Sequence, residues 1–145
     1  ERNSEVQQLA RKNLRLFGLD QRVEFKLGDA NSGFEERFLD AIFLDLPNPY
    51  DYLEQVSTSL KGGGQFATLL PTINQVELTL RALAHSNFAF IDVCEILLRH
   101  YKSDWGRLRP VDRMVAHTGY LIFARSIQAG LEDLEEGTGA LDSDD

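Results

Sequence analysis

Apolar positions change their spacing several times along the chain. In "SEVQQLARKNLRLFGL" (4–19), Val6, Leu9, Ala10, Leu14 and Phe17 recur near helical spacing. Ser4 is placed to cap that helix and Gly18 to stop it. "VEFKL" (23–27) alternates apolar with polar and predicts a strand with one buried face, ended by "GD". "DAIFLDL" (40–46) is nearly continuous in apolar residues, the pattern of a central parallel strand covered on both faces. "YDYLEQVSTSL" (50–60) predicts a helix stopped by "KGGG", and "GQFATLLP" (64–71) a second buried strand. "TINQVELTLRALAHSN" (72–87) predicts a helix with Val76, Leu80 and Leu83 on one side. "FAFIDVCEILLRHY" (88–101) and "DRMVAHTGYLIFARS" (112–126) predict two long strands, joined by the polar loop "KSDWGRLRPVDR".

Helices alternate with strands, and then two strands follow in succession. The order predicts an α/β sheet, parallel at first, with an antiparallel pair at the end. A length of 145 residues suits one domain with a sizeable core, and 43% hydrophobic with 10% aromatic residues fits a soluble globular chain. The single cysteine, Cys94, excludes an internal disulfide and reads as a strand thiol. There is no apolar run of membrane-spanning length and no signal peptide, which points to a reducing, cytoplasmic setting.

Net charge is -8, but its distribution changes what it means. Residues 126–145 hold seven acids and no Lys or Arg, leaving 16 acids against 15 bases in residues 1–125. The acidic tail, 126–145, is expected to be disordered and solvating. Locally the sign reverses. Between Arg99 and Arg113 five bases face two acids, with Tyr101 and Trp105 interleaved. Bases meet phosphates and aromatics stack on nucleosides, so RNA contact competes here with a solvated loop or a subunit contact.

Ligands of open α/β sheets bind at the carboxyl ends of parallel strands. Asp29 follows "VEFKLG" and Asp45 follows "AIFL"; Glu1 precedes the first helix by three residues. After Asp45 come two prolines in "DLPNPY", which restrict the backbone and hold the strand end stiffly. Helix capping is the competing role for Asp45, and an Asx-turn for Asp29. His85 and His100 lack metal-ligand spacing, there is no cysteine–histidine cluster, and no metal is expected.

Three stretches in order, "FLDLPNPYDYLEQV", "LKGGGQFATLLPTINQVE" and "RMVAHTGYLIFAR", resemble the tRNA (adenine-58-N1)-methyltransferase family, often called TrmI. The resemblance runs from Glu1 to about Arg125 and implies the Rossmann-like class I S-adenosylmethionine-dependent methyltransferase fold, with a mostly parallel sheet and antiparallel last strands. The family's glycine-rich loop has no counterpart here. The expectation is therefore the C-terminal two-thirds of a catalytic domain, without the first strands or the small N-terminal barrel, and inactive as a fragment.

The resemblance also implies roles. Glu1 matches the acidic residue that accepts from the cofactor's ribose hydroxyls. Asp29 matches the position that meets its adenine, with the Ala30 N–H donating to a ring nitrogen. Asp45 is the expected catalytic residue and also borders the cofactor. It would orient the target adenine and stabilise the charge that develops as N1 is methylated. Tyr50, Thr72, Asn74, Gln75, His117 and Thr118 are expected to line the substrate pocket, Tyr50 by stacking and His117 by positioning rather than proton transfer. Tyr101 and Arg109 are expected on the tRNA. The implied cofactor is S-adenosylmethionine, the implied partner is tRNA, and the implied assembly is a homotetramer. Methylation of the neighbouring position 57 stays open.

Two other readings compete. Another class I methyltransferase, acting on isoaspartyl or small-molecule substrates, would not call for the basic loop. A non-catalytic tRNA-binding subunit of the same fold could dispense with the acidic strand ends, all three of which are present.

Overall fold

The computed structural model describes residues 1–114 and 117–127. The expected acidic tail falls, beyond Ser126 and Ile127, outside the described residues. The chain divides into two compact units, Glu1–Glu35 and Glu36–Asp145.

In the first unit, α1 spans Ser4–Leu16. Its cap is Asn3, not Ser4 as expected. The Asn3 side chain accepts from the Glu5 and Val6 amides, which leaves Ser4 inside the first turn. Gly18 then takes a left-handed φ of 67° and ends the helix as expected. The Arg11 guanidinium lies 4.3 Å above the Phe25 ring. "VEFKL" is not a strand. Val23 is extended, but no strand pairs with this segment among the described residues. Alternation supplies a face; a ladder needs a neighbour. The segment bonds instead through single contacts, Gly28 N–H to Glu1 O (3.0 Å) and Arg11 Nη2 to Phe25 O (3.4 Å).

The second unit is the expected α/β arrangement. Strands β1 (Leu39–Phe43), β2 (Leu60–Leu70), β3 (Phe88–Cys94) and β4 (Tyr120–Ser126) form one sheet in the order β1-β2-β4-β3. The β1–β2 pair is parallel; β4 runs antiparallel to both β2 and β3. Helices α2 (Leu53–Ser59) and α3 (Ile73–Ala84) supply Val56, Val76 and Leu83 to a core that holds Phe66, Leu70, Phe88 and Ile122. Each such side chain contributes about 1.5–3 kcal/mol when fully buried. The helix expected from Tyr50 begins at Leu53, because Pro49–Asp51 forms a separate 3-10 turn whose first residue is proline.

The strands differ from expectation in three ways. β1 lies at the edge of this sheet, with Phe43 57% exposed, and β2 alternates between buried Gly64, Phe66, Thr68, Leu70 and more open Gln65, Ala67, Leu69. Continuous apolar runs therefore do not mean two covered faces here. The row Phe43–Ala67–Phe123, joined across the register, is the open side. Second, β3 stops at Cys94, which is half-buried, rather than at Tyr101; its partner β4 starts at Tyr120, not Asp112, so the ladder ends at Cys94–Leu121. Third, "KGGG" is not simply a helix stop but belongs to β2. Four residues, Lys61–Gly64, intervene on β2 where β1 has only Asp40 between paired Leu39 and Ala41. Gly63 has φ 75°, and a Cβ on Gly64 would sit 2.9 Å from Lys61 O and 3.0 Å from Leu39 O. Lys61 and Asp40 form an ion pair beside this bulge, which holds the Asp40 carboxyl below its ordinary range.

The polar loop is a small hairpin. Tyr101 bridges Pro110, Lys102 N–H donates to Arg109 O (2.9 Å), and Val111 N–H to His100 O (2.9 Å).

Candidate active site at one edge of the sheet

Topology brings chemistry to a single sheet edge. Because β1 and β2 are parallel, Asp45 and Pro71 leave from the same end. Because β4 is reversed, its entry residues His117 and Thr118 arrive at that end, with Tyr120 opposite Leu70. Because β3 is reversed relative to β4, its exit residue Glu95 joins them.

Asp45 is exposed, and no hydrogen bond or ion pair engages its carboxylate among the described residues. Its backbone is well held. Leu44 N–H donates to Ala67 O (2.9 Å), extending the ladder past β1, and the buried Thr68 hydroxyl donates to Leu44 O (2.7 Å). The following loop is tied twice. Asn48 Nδ2 donates to Asp51 Oδ2 (2.6 Å), and Gln75 Nε2 donates to Pro47 O (2.9 Å). Pro49 is buried, and Tyr50 is half-buried within the 3-10 turn. The stiffness expected of "DLPNPY" therefore comes from hydrogen bonds as well as from proline.

Thr72 is the N-cap of α3. Its hydroxyl donates to Gln75 Oε1 (2.6 Å) and accepts from Gln75 N–H (3.4 Å). Gln75 thus couples the start of α3 to the loop after Asp45, while Asn74 is exposed on the first turn. Thr118 is exposed beside the buried Gly119.

His117 makes two short contacts. Nε2 lies 2.8 Å from Pro71 O and Nδ1 lies 2.6 Å from Glu95 Oε1. Both partners accept, so only the doubly protonated ring satisfies both. The Pro71 carbonyl first, then the Glu95 carboxylate, raise the His117 pKa above its ordinary value, against a smaller opposing desolvation. The Tyr120 ring packs at 4.6 Å.

Other expected site residues lie elsewhere. Tyr101 and Arg109 lie on opposite strands of the hairpin, Tyr101 bridging Pro110 and Arg109 O accepting from Lys102 N–H, and among the described residues no hydrogen bond ties that hairpin to the loop after Asp45. In the unit Glu1–Glu35, Glu1 Oε1 accepts from Asn3 N–H (2.7 Å), and Asp29 Oδ1 from Asn31 N–H (2.9 Å), which makes Asp29 the cap of the Ala30–Ser32 turn. Asp29 Oδ2 lies 3.9 Å from Arg2 Nη1. Gly28 bonding to Glu1 sets both carboxylates at one end of this unit. Sequence reasoning missed Glu95 and Thr68. Glu95 carries the signature that picked out Asp45, a carboxylate directly after an apolar strand, but the overlong strand expected there concealed it.

Known proteins resemble this chain in sequence and fold. A methyltransferase of Methanocaldococcus jannaschii, tRNA (adenine(57)-N(1)/adenine(58)-N(1))-methyltransferase TrmI, is 37% identical over 112 residues, 77% of this chain and 40% of that protein. Among solved structures, a SAM-dependent O-methyltransferase from Thermotoga maritima superposes with a TM-score of 0.85 at 49% identity, covering 88% of this chain and 48% of that one. The tRNA (m1A58) methyltransferase TrmI from Aquifex aeolicus superposes with a TM-score of 0.81 at 40% identity, covering 89% and 52%. The chain spans less than half the length of the curated relatives it matches. No helix among the described residues is long and apolar enough to cross a membrane. Residues 2–108 match the model of the family described as tRNA methyltransferase complex GCD14 subunit, and the chain belongs to that family.

Proposed function

We propose that this chain is part of the catalytic domain of an S-adenosylmethionine-dependent methyltransferase that modifies N1 of an adenine in the tRNA T-loop, at position 58 and with 57 as a further candidate. The observation that carries this reading is Asp45, an exposed carboxylate without a protein partner among the described residues, on a backbone pinned by Thr68. Adenine N1 brings its own lone pair, so transfer needs alignment more than a general base. An adenine presents its 6-amino group beside N1, and a fixed carboxylate accepts from it. The same carboxylate stabilises the positive charge left on the methylated ring.

The donor set suits the cofactor. In residues 1–35, Glu1 Oε2 has no hydrogen bond among the described residues and is proposed for ribose hydroxyls. Asp29 and the Ala30 amide are proposed for the adenine ring. In the sheet unit, Asp45 is proposed to serve cofactor and base alike. Bound S-adenosylmethionine would supply an electrophilic methyl group. Tyr50, Thr72, Asn74, Gln75, His117 and Thr118 are proposed around the base, and Tyr101 and Arg109 for tRNA on the basic hairpin. The T-loop adenine must leave its stack to reach such a site. A homotetramer in the cytoplasm is the proposed working state.

A second reading has one observation behind it, the O-methyltransferase name of the Thermotoga relative. The family model and the TrmI relatives support the tRNA reading instead. The deciding experiment incubates the full gene product with labelled S-adenosylmethionine and unmodified tRNA and maps the methylated nucleoside. N1-methyladenine in the T-loop supports the proposal. Cofactor binding without transfer to any tRNA overturns it.

A further inference from the structure

Glu95 is the first polar residue after the β3 run "FIDVC" and has no role in the reading above. Its carboxylate, 33% exposed, lies at the edge where Asp45, Pro71 and His117 meet. It accepts from His117 Nδ1 at 2.6 Å, while His117 Nε2 donates to Pro71 O at 2.8 Å. Pro71 immediately precedes Thr72, the cap of α3. Thr72 bonds Gln75, and Gln75 bonds Pro47 O at 2.9 Å, two residues beyond Asp45. A relay of side-chain and backbone groups therefore runs from the end of β3 to the loop after β1.

We propose that Glu95 is a positioning residue: through the His117 ring it fixes the Pro71 carbonyl, and with it the Thr72–Gln75 turn that braces the loop after Asp45. The physical basis is donor count. A neutral imidazole has one N–H and can serve either Glu95 or Pro71; the imidazolium has two and serves both. A carboxylate beside Nδ1 favours the imidazolium, and a neutral amide does not. Among the described residues, Glu95 and Tyr120 are the titratable groups in contact with this ring. Glu95 touches no reacting atom; it acts by keeping the ring in its two-donor form.

This inference rests on the methyltransferase reading, and the test separates the two. The full gene product is compared with Glu95→Gln and Glu95→Asp by three measurements: tRNA methylation kinetics, the S-adenosylmethionine dissociation constant, and NMR titration of the His117 ring. Glu95→Gln is expected to lower the His117 titration midpoint and to lower kcat on tRNA by about tenfold through misalignment, with cofactor affinity unchanged. Its rate should fall further as pH rises, because the ring loses its second donor earlier. Glu95→Asp keeps the charge and should restore part of both the midpoint and the rate. An unchanged His117 midpoint in Glu95→Gln overturns the proposal, as does an unchanged rate and pH profile. If the unmodified protein transfers no methyl to tRNA, the methyltransferase reading fails instead, and the titration alone decides whether Glu95 governs the ring.

Discussion

The hydroxyl of Thr68 donates to the carbonyl of Leu44 at 2.7 Å, both residues lying in the buried core. The bond joins the side chain of β2 to the backbone just past β1, one residue before Asp45. A threonine on the covered face of a sheet usually costs burial of a polar group. Here the group is used to fix a peptide that no ladder partner holds on that side.

Thr68→Val keeps the shape and removes the donor. The Leu44 carbonyl is then left without that bond in the core, at a cost of about 1–3 kcal/mol. Urea unfolding should show the midpoint fall. Methyl transfer should fall with it, since the peptide leading into Asp45 loosens. A variant with wild-type stability would mean that water replaces the hydroxyl.

Asp45→Asn should leave the fold intact, because no protein group depends on that carboxylate among the described residues. The amide keeps an acceptor oxygen but loses the charge. A fall in kcat of about 10²–10³ is expected if Asp45 stabilises developing positive charge. Single-turnover methylation of tRNA, with thermal melting as the control, checks both halves.

Gln75→Glu is nearly isosteric and inverts one contact. A carboxylate cannot donate to Pro47 O, so two acceptors face each other across 2.9 Å. Stability should drop by about 1 kcal/mol, the net value of one such bond. KM for tRNA should rise or kcat fall as the loop after Asp45 loses its brace. Hydrogen exchange at the amides of Asn48, Tyr50 and Asp51 would report the loosening directly.

The pH dependence of His117 has a definite sign. Its folded pKa is raised by Pro71 and Glu95, so the folded state binds the proton more tightly than the unfolded chain. The stabilisation is full below the ordinary histidine value of about 6.5 and is lost as pH rises through the raised folded value. The difference in melting temperature between wild type and His117→Gln should therefore be largest in mild acid and shrink toward alkaline pH. A difference that grows with pH would contradict the assigned protonation.

Element types could largely be read from the sequence, and element ends could not. Four of the five expected strands and all three α-helices form in the segments where periodicity puts them. "VEFKL" failed because a strand is defined by its neighbour, which alternation cannot report. The segments 88–101 and 112–126 ran too long because apolar residues continue past the point where pairing ends at Cys94–Leu121. For the candidate site, the carboxylates at strand ends could be found from local pattern. The braces could not. Thr68 to Leu44, Gln75 to Pro47 and Glu95 to His117 join residues more than twenty positions apart. Only the register of the sheet brings them together.

Gly64→Ala should cost about 1–3 kcal/mol, because the new methyl would meet two backbone carbonyls that cannot swing aside. Chemical denaturation is the check, with methylation kinetics per folded molecule unchanged.

That bulge lies at the opposite end of β1 and β2 from Asp45, and it is where the pairing resets from Leu39–Leu60 to Ala41–Gln65. Chain length there is uncoupled from alignment beyond it. The four bulge residues Lys61 to Gly64 absorb the whole register shift, while Phe43 stays opposite Ala67. The sheet thus confines its irregularity to the end far from its working edge, and the pairing that leads into Asp45 runs in unbroken register.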